Sequence, residues 1–138
     1  QARFTDKDGA ILSAAVSDYK PSVAQGMKMK SSAQSLTIQL EPTKDIAKEL
    51  GARKTDNQIL VEFALETQDE ISNAQQKLQN KNLDCIVLNS LKDEGAGFQY
   101  DTNKVTIIDK NGHIDAFELK PKQEVANDIV ETINEMLE

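Results

Sequence analysis

Residues 59–90 of the chain read ILVEFALETQDEISNAQQKLQNKNLDCIVLNS, and this segment alone predicts the class of fold. The apolar runs at 59–65 and 83–88 are each typical of a buried strand. Between them, Thr67 and Glu70 have the S/T-x-x-E spacing of a capping box, which predicts the start of a helix. The apolar face of that helix has three members: Ile71, Ala74 and Leu78. The order strand–helix–strand predicts parallel strands in an α/β domain.

The residues before this segment predict two more strands and a short helix. Gly9–Val16 (GAILSAAV) has the nearly continuous apolar run of a buried parallel strand. Leu36–Leu40 alternates apolar and polar residues, as a half-buried strand does. Thr43 is the N-cap candidate of the helix, and Gly51 is placed to end it in a left-handed conformation. Residues 22–34 lack helical periodicity and are expected to form a loop or an extended arm.

The residues after it predict a hairpin and a last helix. The dipeptide Asn111-Gly112 is a strong two-residue hairpin signal, and it lies between the apolar runs Val105–Ile108 and Ile114–Leu119. Pro121 is suited to the first position of a helix. The apolar residues of that helix recur every four positions: Val125, Ile129, Ile133 and Leu137. We therefore expect an α/β fold with a mainly parallel sheet and a C-terminal antiparallel hairpin.

Composition excludes several classes of function. Of the 138 residues, 38% are hydrophobic and 28% are charged, as in an ordinary soluble globular domain. The formal net charge of −7 argues against a nucleic-acid-binding surface, which needs a basic field. No apolar stretch approaches the ~20 residues of a membrane span, and no signal peptide opens the chain. We therefore expect a cytoplasmic protein that binds neither nucleic acid nor membrane.

The single cysteine and the single histidine do not suggest a metal site. Cys85 lies inside an apolar run, where a free cysteine usually behaves as a small buried hydrophobe. One cysteine also excludes an internal disulfide. His113 stands beside the hairpin turn and is expected to be exposed to solvent. We predict no metal-binding residues in this chain.

Two windows of this acidic chain contain no acidic residue. The first lies between Tyr19 and Leu40, and the second runs from Ser72 to Asn82. Together they hold five lysines: Lys20, Lys28, Lys30, Lys77 and Lys81. The last two are four positions apart on the predicted helix and therefore share a face. A site for a phosphate-bearing ligand would explain both windows, whereas stabilisation of a helix C-terminus and a solvated loop are the simpler alternatives.

Five short motifs resemble those of the phosphopantothenate–cysteine ligase family, in the same order. They are AAVSDYKP (14–21), KMKS (28–31), VEFALET (61–67), KNLDCIVLN (81–89) and GFQYDTNKVTIID (97–109). Five ordered motifs across nearly the whole chain make a specific match, whereas any one alone would be weak. The resemblance implies a Rossmann-like three-layer fold, with residues 1–138 forming a single domain that is the C-terminal portion of the ligase domain.

The resemblance also implies an activity. Members of the family join phosphopantothenate to the amino group of cysteine during coenzyme A synthesis. In the bacterial type, CTP with Mg²⁺ first converts the carboxylate into an acyl-cytidylate, and cysteine then displaces CMP. Such domains form homodimers and are often fused to a flavin-dependent decarboxylase. We therefore expect a homodimer, a possible fused decarboxylase domain, and no flavin in this segment.

Carried over position by position, the resemblance assigns the catalytic role to Lys28, which would serve the nucleotide phosphates. The nucleotide-binding positions correspond to Ala14, Asp18, Lys28, Phe63, Lys77 and Lys81. Among them, the backbone at Ala14 and the ring of Phe63 would line the base, and the two helix lysines would lie near the triphosphate. Asn82 and Asp84 are expected to be structural and to organise the turn into the next strand.

The chain departs from the family pattern in three ways. Ser31 replaces a usual lysine, and Glu62 replaces a usual glycine, so that a carboxylate could crowd or repel a triphosphate. The N-terminal βα units of the family, with their glycine-rich phosphate loop, have no counterpart, so we expect residues 1–138 alone to release no CMP. The alternative function is a non-catalytic nucleotide-binding or dimerisation module. An unrelated flavodoxin-like domain would need a flavin site that these residues do not supply.

Overall fold

The structure is a computed structural model that describes residues 4–23, 26–27, 35–90, 95–96 and 100–137. The predictions for Lys28, Lys30 and Ser31 lie outside the described residues. The chain divides into two compact units, one formed by Gln1–Ala14 with Ile46–Glu138 and the other by Ala15–Asp45. A single domain over the whole chain stays a prediction.

The described residues form nine strands and three helices. The strands are β1 (Gly9–Leu12), β2 (Tyr19–Pro21), β3 (Leu40–Pro42), β4 (Ile59–Glu66), β5 (Cys85–Ser90), β6 (Thr102–Asn103), β7 (Val105–Asp109), β8 (Ile114–Ala116) and β9 (Lys120–Pro121). The helices are α1 (Ile46–Gly51), α2 (Glu70–Asn80) and α3 (Lys122–Leu137). Among the described residues, no helix is long and apolar enough to cross a membrane.

The larger unit is built on a five-stranded mixed sheet in the order β1-β4-β5-β7-β8. The first three of these strands are parallel, and β7 and β8 are added antiparallel. β6 and β9 pair separately as a short antiparallel sheet. The predicted α/β fold, with parallel strands followed by an antiparallel hairpin, is confirmed.

The alternation of side chains along the strands forms two apolar cores, one on each face of the sheet. In β4, Leu60 and Ala64 pack with α1 and α2 on one face. Ile59 and Val61 pack with α3 on the other face. Because successive strand residues point to opposite faces, one strand contributes to both cores. This arrangement confirms the three predicted layers.

Asp84, just before β5, is a buried charge that joins three segments. Its carboxylate accepts hydrogen bonds from Lys54 Nζ at 2.9 and 2.8 Å and from Lys110 Nζ at 2.9 Å. It also accepts one from the backbone N–H of Leu60 at 2.8 Å. The side chain of Asp84 is 1% exposed and that of Lys54 is 8% exposed. The structural role predicted for Asp84 is confirmed.

Gly51 is needed for close packing and not for a left-handed helix end. It is the last residue of α1, and its φ is not positive. A Cβ at this position would lie 1.7 Å from the carbonyl oxygen of Lys81. Asn82 supports the same contact, because it adopts a φ of 52° and its side-chain amide donates to the Gly51 carbonyl at 2.8 Å. The structural role predicted for Asn82 is therefore confirmed.

Replacing Gly51 with alanine is expected to lower the free energy of unfolding by about 1–3 kcal/mol, the usual cost of overpacking. Alanine has the higher helix propensity, but its methyl group would meet a backbone oxygen, which cannot turn aside as a side chain does. Urea unfolding measures the change. Gly26→Ala is the control, since an added Cβ there meets nothing within 4 Å. Equal unfolding midpoints for the two variants would contradict the prediction.

The predicted starts of α1 and α2 were both wrong. α1 begins three residues after Thr43, whose hydroxyl donates instead to the carbonyl of Ser17 at 2.5 Å. The N-cap of α2 is Asp69, with a φ of 45° and no capping hydrogen bond from its side chain. The capping box of Thr67 and Glu70 is therefore wrong, although the helix that it predicted is present.

The smaller unit contains the antiparallel pair of β2 and β3. The predicted strand Leu36–Leu40 is wrong, because only its last residue belongs to β3 and its apolar side chains are exposed. The predicted strand Gly9–Val16 is a strand only over β1. A strand needs backbone hydrogen bonds to a neighbouring strand, but exposed backbone groups can bond to water instead. An apolar pattern alone therefore does not show how far a strand extends.

The hairpin and the last helix were predicted with small differences at their ends. Gly112 has a φ of 89°, and the N–H of Asp109 donates to the carbonyl of His113 at 3.1 Å, so the predicted hairpin is present but its turn contains three residues, 110–112, instead of the predicted two. His113 is exposed, as expected. Cys85 is buried, and that burial raises the pKa of its thiol to about 12, which suits a structural residue. Pro121 lies in β9, one residue before the helix that it was expected to begin.

Candidate functional site

The carboxyl ends of the parallel strands form one edge of the sheet, where open α/β proteins bind ligands. In the larger unit, β4 ends at Glu66 and β5 ends at Ser90. Ala14 follows the end of β1 by two residues and is exposed. This edge therefore contains one of the predicted nucleotide-binding positions and two polar residues that were not predicted.

The two lysines of the predicted phosphate site extend from α2 to acidic residues of β4. Lys77 Nζ lies 2.5 Å from Glu66 Oε1, and Lys81 Nζ lies 2.8 Å from Glu62 Oε1. Helical side chains lean toward the helix N-terminus, and α2 starts where β4 ends. Lys77 Nζ is therefore directed toward the carboxyl end of β4, whereas Lys81, the C-cap residue of α2, contacts Glu62 in the middle of the strand.

The two ion pairs differ in their exposure to solvent. The side chains of Lys81 and Glu62 are 17% and 19% exposed, whereas Lys77 is more exposed than its partner. The second oxygen of Glu62, Oε2, is buried and has no hydrogen-bond partner within the part of the chain that the structure describes. Partly buried charges are screened less than surface charges, so water screens the ammonium group of Lys81 less than that of Lys77.

Further polar side chains surround the end of β4. The amide of Asn73 lies 3.4 Å from Glu66 Oε2, and the hydroxyl of Ser90 donates to Glu70 Oε1 at 3.1 Å. Sequence reasoning missed these residues and the role of Glu66 as the partner of Lys77. Their positions in the sequence could have indicated them, because each lies at the end of a predicted parallel strand or in the helix that follows it.

Phe63, the predicted base contact, lies on the opposite face of β4 from the lysines. Its ring packs against the core beneath α3, together with residues such as Val61 and Val87. Glu62 and Glu66, which hold the two lysines, point to the other face because they are one and three positions away. The structure therefore does not bring Phe63 onto the face that carries Lys77 and Lys81.

Two other predicted positions belong to the smaller unit or lie outside the described residues. Asp18 is exposed, and its backbone carbonyl accepts a hydrogen bond from the N–H of Thr43 at 2.8 Å. Lys28, the predicted catalytic residue, is outside the described residues. Their part in a common nucleotide site stays a prediction.

The chemistry that this edge can perform is charge stabilisation. A fixed ammonium group stabilises negative charge that grows on a phosphoryl or carboxyl oxygen. Among the described residues, Lys77 faces the carboxylate of Glu66 and Lys81 faces that of Glu62, so an anionic ligand must compete with these carboxylates. Over the described ranges, no group of three or more His, Cys, Asp or Glu residues could hold a metal ion.

The chain is similar to a decarboxylase and to proteins of coenzyme A biosynthesis. A cysteine/cysteine sulfinic acid decarboxylase from an unknown prokaryotic organism is 58% identical over 130 residues, which are 94% of this chain and 36% of that protein. The coenzyme A biosynthesis bifunctional protein CoaBC of Bacillus subtilis (strain 168) is 46% identical over 130 residues, 94% of this chain and 32% of that protein. The chain thus spans about a third of the length of these relatives.

A solved structure and a family model agree with these relatives. The crystal structure of the C-terminal domain of the coenzyme A biosynthesis bifunctional protein CoaBC is similar with a TM-score of 0.76 and 38% identity. The match covers 99% of this chain and 60% of that one. The model of the DNA/pantothenate metabolism flavoprotein C-terminal domain matches residues 1–137. The resemblance carried by the five motifs is confirmed, and the chain belongs to the DNA/pantothenate metabolism flavoprotein C-terminal domain family.

Proposed function

We infer that the chain is part of a ligase that joins phosphopantothenate to cysteine in coenzyme A biosynthesis. The observation that carries this proposal is the family match over residues 1–137, together with CoaBC relatives that are similar in sequence and in fold. The proposal includes CTP as co-substrate, a homodimer, a cytoplasmic location and a fused decarboxylase domain. Mg²⁺ would enter as the complex with CTP, because it is commonly bound through substrate phosphates and few protein carboxylates.

The proposed reaction has two steps. The carboxylate of phosphopantothenate attacks the α-phosphorus of CTP, and pyrophosphate leaves. The amine of cysteine then attacks the acyl carbon, loses a proton and displaces CMP. The first step builds negative charge around the phosphates, which Lys28, Lys77 and Lys81 would stabilise. The second step depends mainly on holding the amine close to the acyl carbon.

The nucleotide base would be held by the remaining positions that the resemblance assigns. In this proposal the backbone at Ala14 and the ring of Phe63 line the base, and Asp18 helps to hold the nucleotide. The packing of Phe63 beneath α3 limits its contact with a ligand to the part of the ring that is not buried. If Ala14 and Phe63 together line the base, the protein should bind CTP and ATP with different affinities, and measuring both affinities tests this.

The experiment uses the full-length protein that carries this chain. Phosphopantothenate, cysteine and CTP with Mg²⁺ are supplied, and phosphopantothenoylcysteine, CMP and pyrophosphate are measured by mass spectrometry. We expect all three products in equal amounts, and less turnover when ATP replaces CTP. Residues 1–138 alone are expected to release no CMP. A folded full-length protein that makes no phosphopantothenoylcysteine would refute the proposal.

A second function is favoured by two observations. The 58% identical relative is named as a cysteine/cysteine sulfinic acid decarboxylase, and both helix lysines are paired with carboxylates. In this alternative the chain is a non-catalytic nucleotide-binding or dimerisation module of a decarboxylase. The same protein would then release CO₂ from cysteine or cysteine sulfinic acid without consuming CTP. Measuring CO₂ beside CMP distinguishes the two functions.

A further inference from the structure

Glu62, which has no role in the proposed reaction, forms an ion pair with Lys81. The ammonium group of Lys81 lies 2.8 Å from Glu62 Oε1, and both side chains are more than four-fifths shielded from solvent. Charges in such surroundings attract more strongly than charges on the open surface. Any phosphate group that is to bind Lys81 must first displace this carboxylate or share the ammonium group with it.

The second oxygen of Glu62 makes sharing unfavourable. Glu62 Oε2 is buried and accepts no hydrogen bond from the described residues, whereas Glu62 Oε1 faces Lys81. A phosphate oxygen placed against Lys81 would bring further negative charge close to that oxygen. By contrast, the second oxygen of Glu66 has the amide of Asn73 at 3.4 Å, and the lysine paired with Glu66 is more exposed.

We propose that the Glu62 carboxylate is an internal competitor for Lys81 and limits the affinity of this site for phosphate-bearing ligands. This inference rests on the proposed function for the position of the nucleotide phosphates near Lys81. Glu62 would lower the affinity for phosphate by holding the ammonium group of Lys81. Removing the negative charge of Glu62 should therefore strengthen phosphate binding.

The test is Glu62→Gln in the full-length protein. Glutamine keeps the size of the side chain and can still accept a hydrogen bond from Lys81, but it carries no charge. Removing one negative charge that lies within several ångströms of the bound phosphate is expected to tighten binding by about 10- to 100-fold. Isothermal titration calorimetry with inorganic pyrophosphate and with CTP measures the change.

A matched control separates this effect from the change in net charge. Asp128→Asn also removes one negative charge from a partly buried ion pair, because Lys120 and Asp128 are 23% and 18% exposed and lie 2.5 Å apart. That pair involves α3, on the other face of the sheet from α2. We expect Asp128→Asn to leave pyrophosphate binding within about twofold of wild type, because this charge belongs to the helix on the other face of the sheet.

A double variant tests whether the gain depends on Lys81. In the background of Lys81→Met, Glu62→Gln is expected to give a much smaller gain in pyrophosphate affinity, because the competed cation is absent and only the direct repulsion between Glu62 and the phosphate is relieved. The inference is overturned by three results: an equal gain in Asp128→Asn, an equally large gain without Lys81, or no gain in a Glu62→Gln protein whose thermal unfolding is unchanged. Pyrophosphate binding requires no ligation, so a protein that fails to make phosphopantothenoylcysteine refutes the proposed function without deciding this test.

Discussion

Asp84→Asn is expected to lower the free energy of unfolding by about 3–5 kcal/mol, as when one partner of a buried ion pair is removed. Asparagine can still accept the hydrogen bond from the N–H of Leu60, but it leaves the buried ammonium group of Lys54 without its counter-charge. Lys110 is half exposed, so water can solvate it after the change. Urea unfolding followed by circular dichroism gives the free energy.

The acid stability of the protein should depend on the same residue. Burial alone would raise the pKa of Asp84, but hydrogen bonds from Lys54, Lys110 and the N–H of Leu60 hold that pKa below its ordinary value of 3.8. A folded-state pKa below the unfolded value adds stability that is present above pH 3.8 and is lost as the pH falls through the folded pKa. The free energy of unfolding of Asp84→Asn should therefore vary less with pH across that acid range.

Two further variants control this prediction. Asp115→Asn removes a carboxylate that is 44% exposed beside His113, and it should change stability by no more than about 0.5 kcal/mol. Adding Lys54→Met to Asp84→Asn should recover part of the loss, because it removes the unpaired ammonium group. If Asp84→Asn were as stable as Asp115→Asn, the buried ion pair would not contribute as described.

Lys28→Ala in the full-length enzyme is expected to lower turnover by roughly 10²–10³, or about 2.7–4 kcal/mol. This follows from the proposed role of Lys28 beside the nucleotide phosphates. A contact to charge that grows during nucleotide transfer acts mainly in the transition state, so turnover should fall more than the affinity for CTP. Steady-state release of CMP and equilibrium binding of CTP measure the two quantities.

Two other lysines provide the comparison for Lys28. Lys20→Ala removes the same charge, but Lys20 is exposed and its ion pair with Glu41 at 3.1 Å is also exposed, so turnover should stay near wild type. Lys30→Ala is expected to lower turnover less than Lys28→Ala, because the resemblance assigns the catalytic role to Lys28 and none to Lys30. Equal, near-wild-type rates for all three variants would show that Lys28 only adds solubilising charge.

The prediction from residues 59–90 was the most accurate because its signals are local. Both apolar runs lie in buried strands, β4 and β5, and the helical spacing of Ala74 and Leu78 marks the buried side of α2. The predictions were wrong where a contact with a segment distant in the sequence determines the local structure. Gly51 is needed because Lys81 passes against it, and no local pattern contains that contact. The start of α1 was also missed, because the Thr43 hydroxyl bonds outside the helix.

The candidate site was predicted only as a set of residue types. The spacing of Lys77 and Lys81 predicted a common helix face; Lys81 is the C-cap residue that follows α2, but both lysines face the same side of β4. Their partners were not predicted, because Glu62 and Glu66 become neighbours of the lysines only when α2 packs on β4. The place of Phe63 among the residues under α3 likewise depends on which face of β4 each helix covers.

The sequence by itself determined the order strand–helix–strand in residues 59–90, the antiparallel hairpin, the buried place of Cys85, the structural role of Asp84, and the family. Apolar periodicity, turn residues and ordered motifs carry that information within short segments. Only the tertiary structure decided that Lys77 and Lys81 are paired with carboxylates and that Phe63 lies on the opposite face. The physical reason is that charge pairing depends on the register of a helix against a strand. That register is set by how the two apolar surfaces pack together, and no short stretch of sequence contains both surfaces.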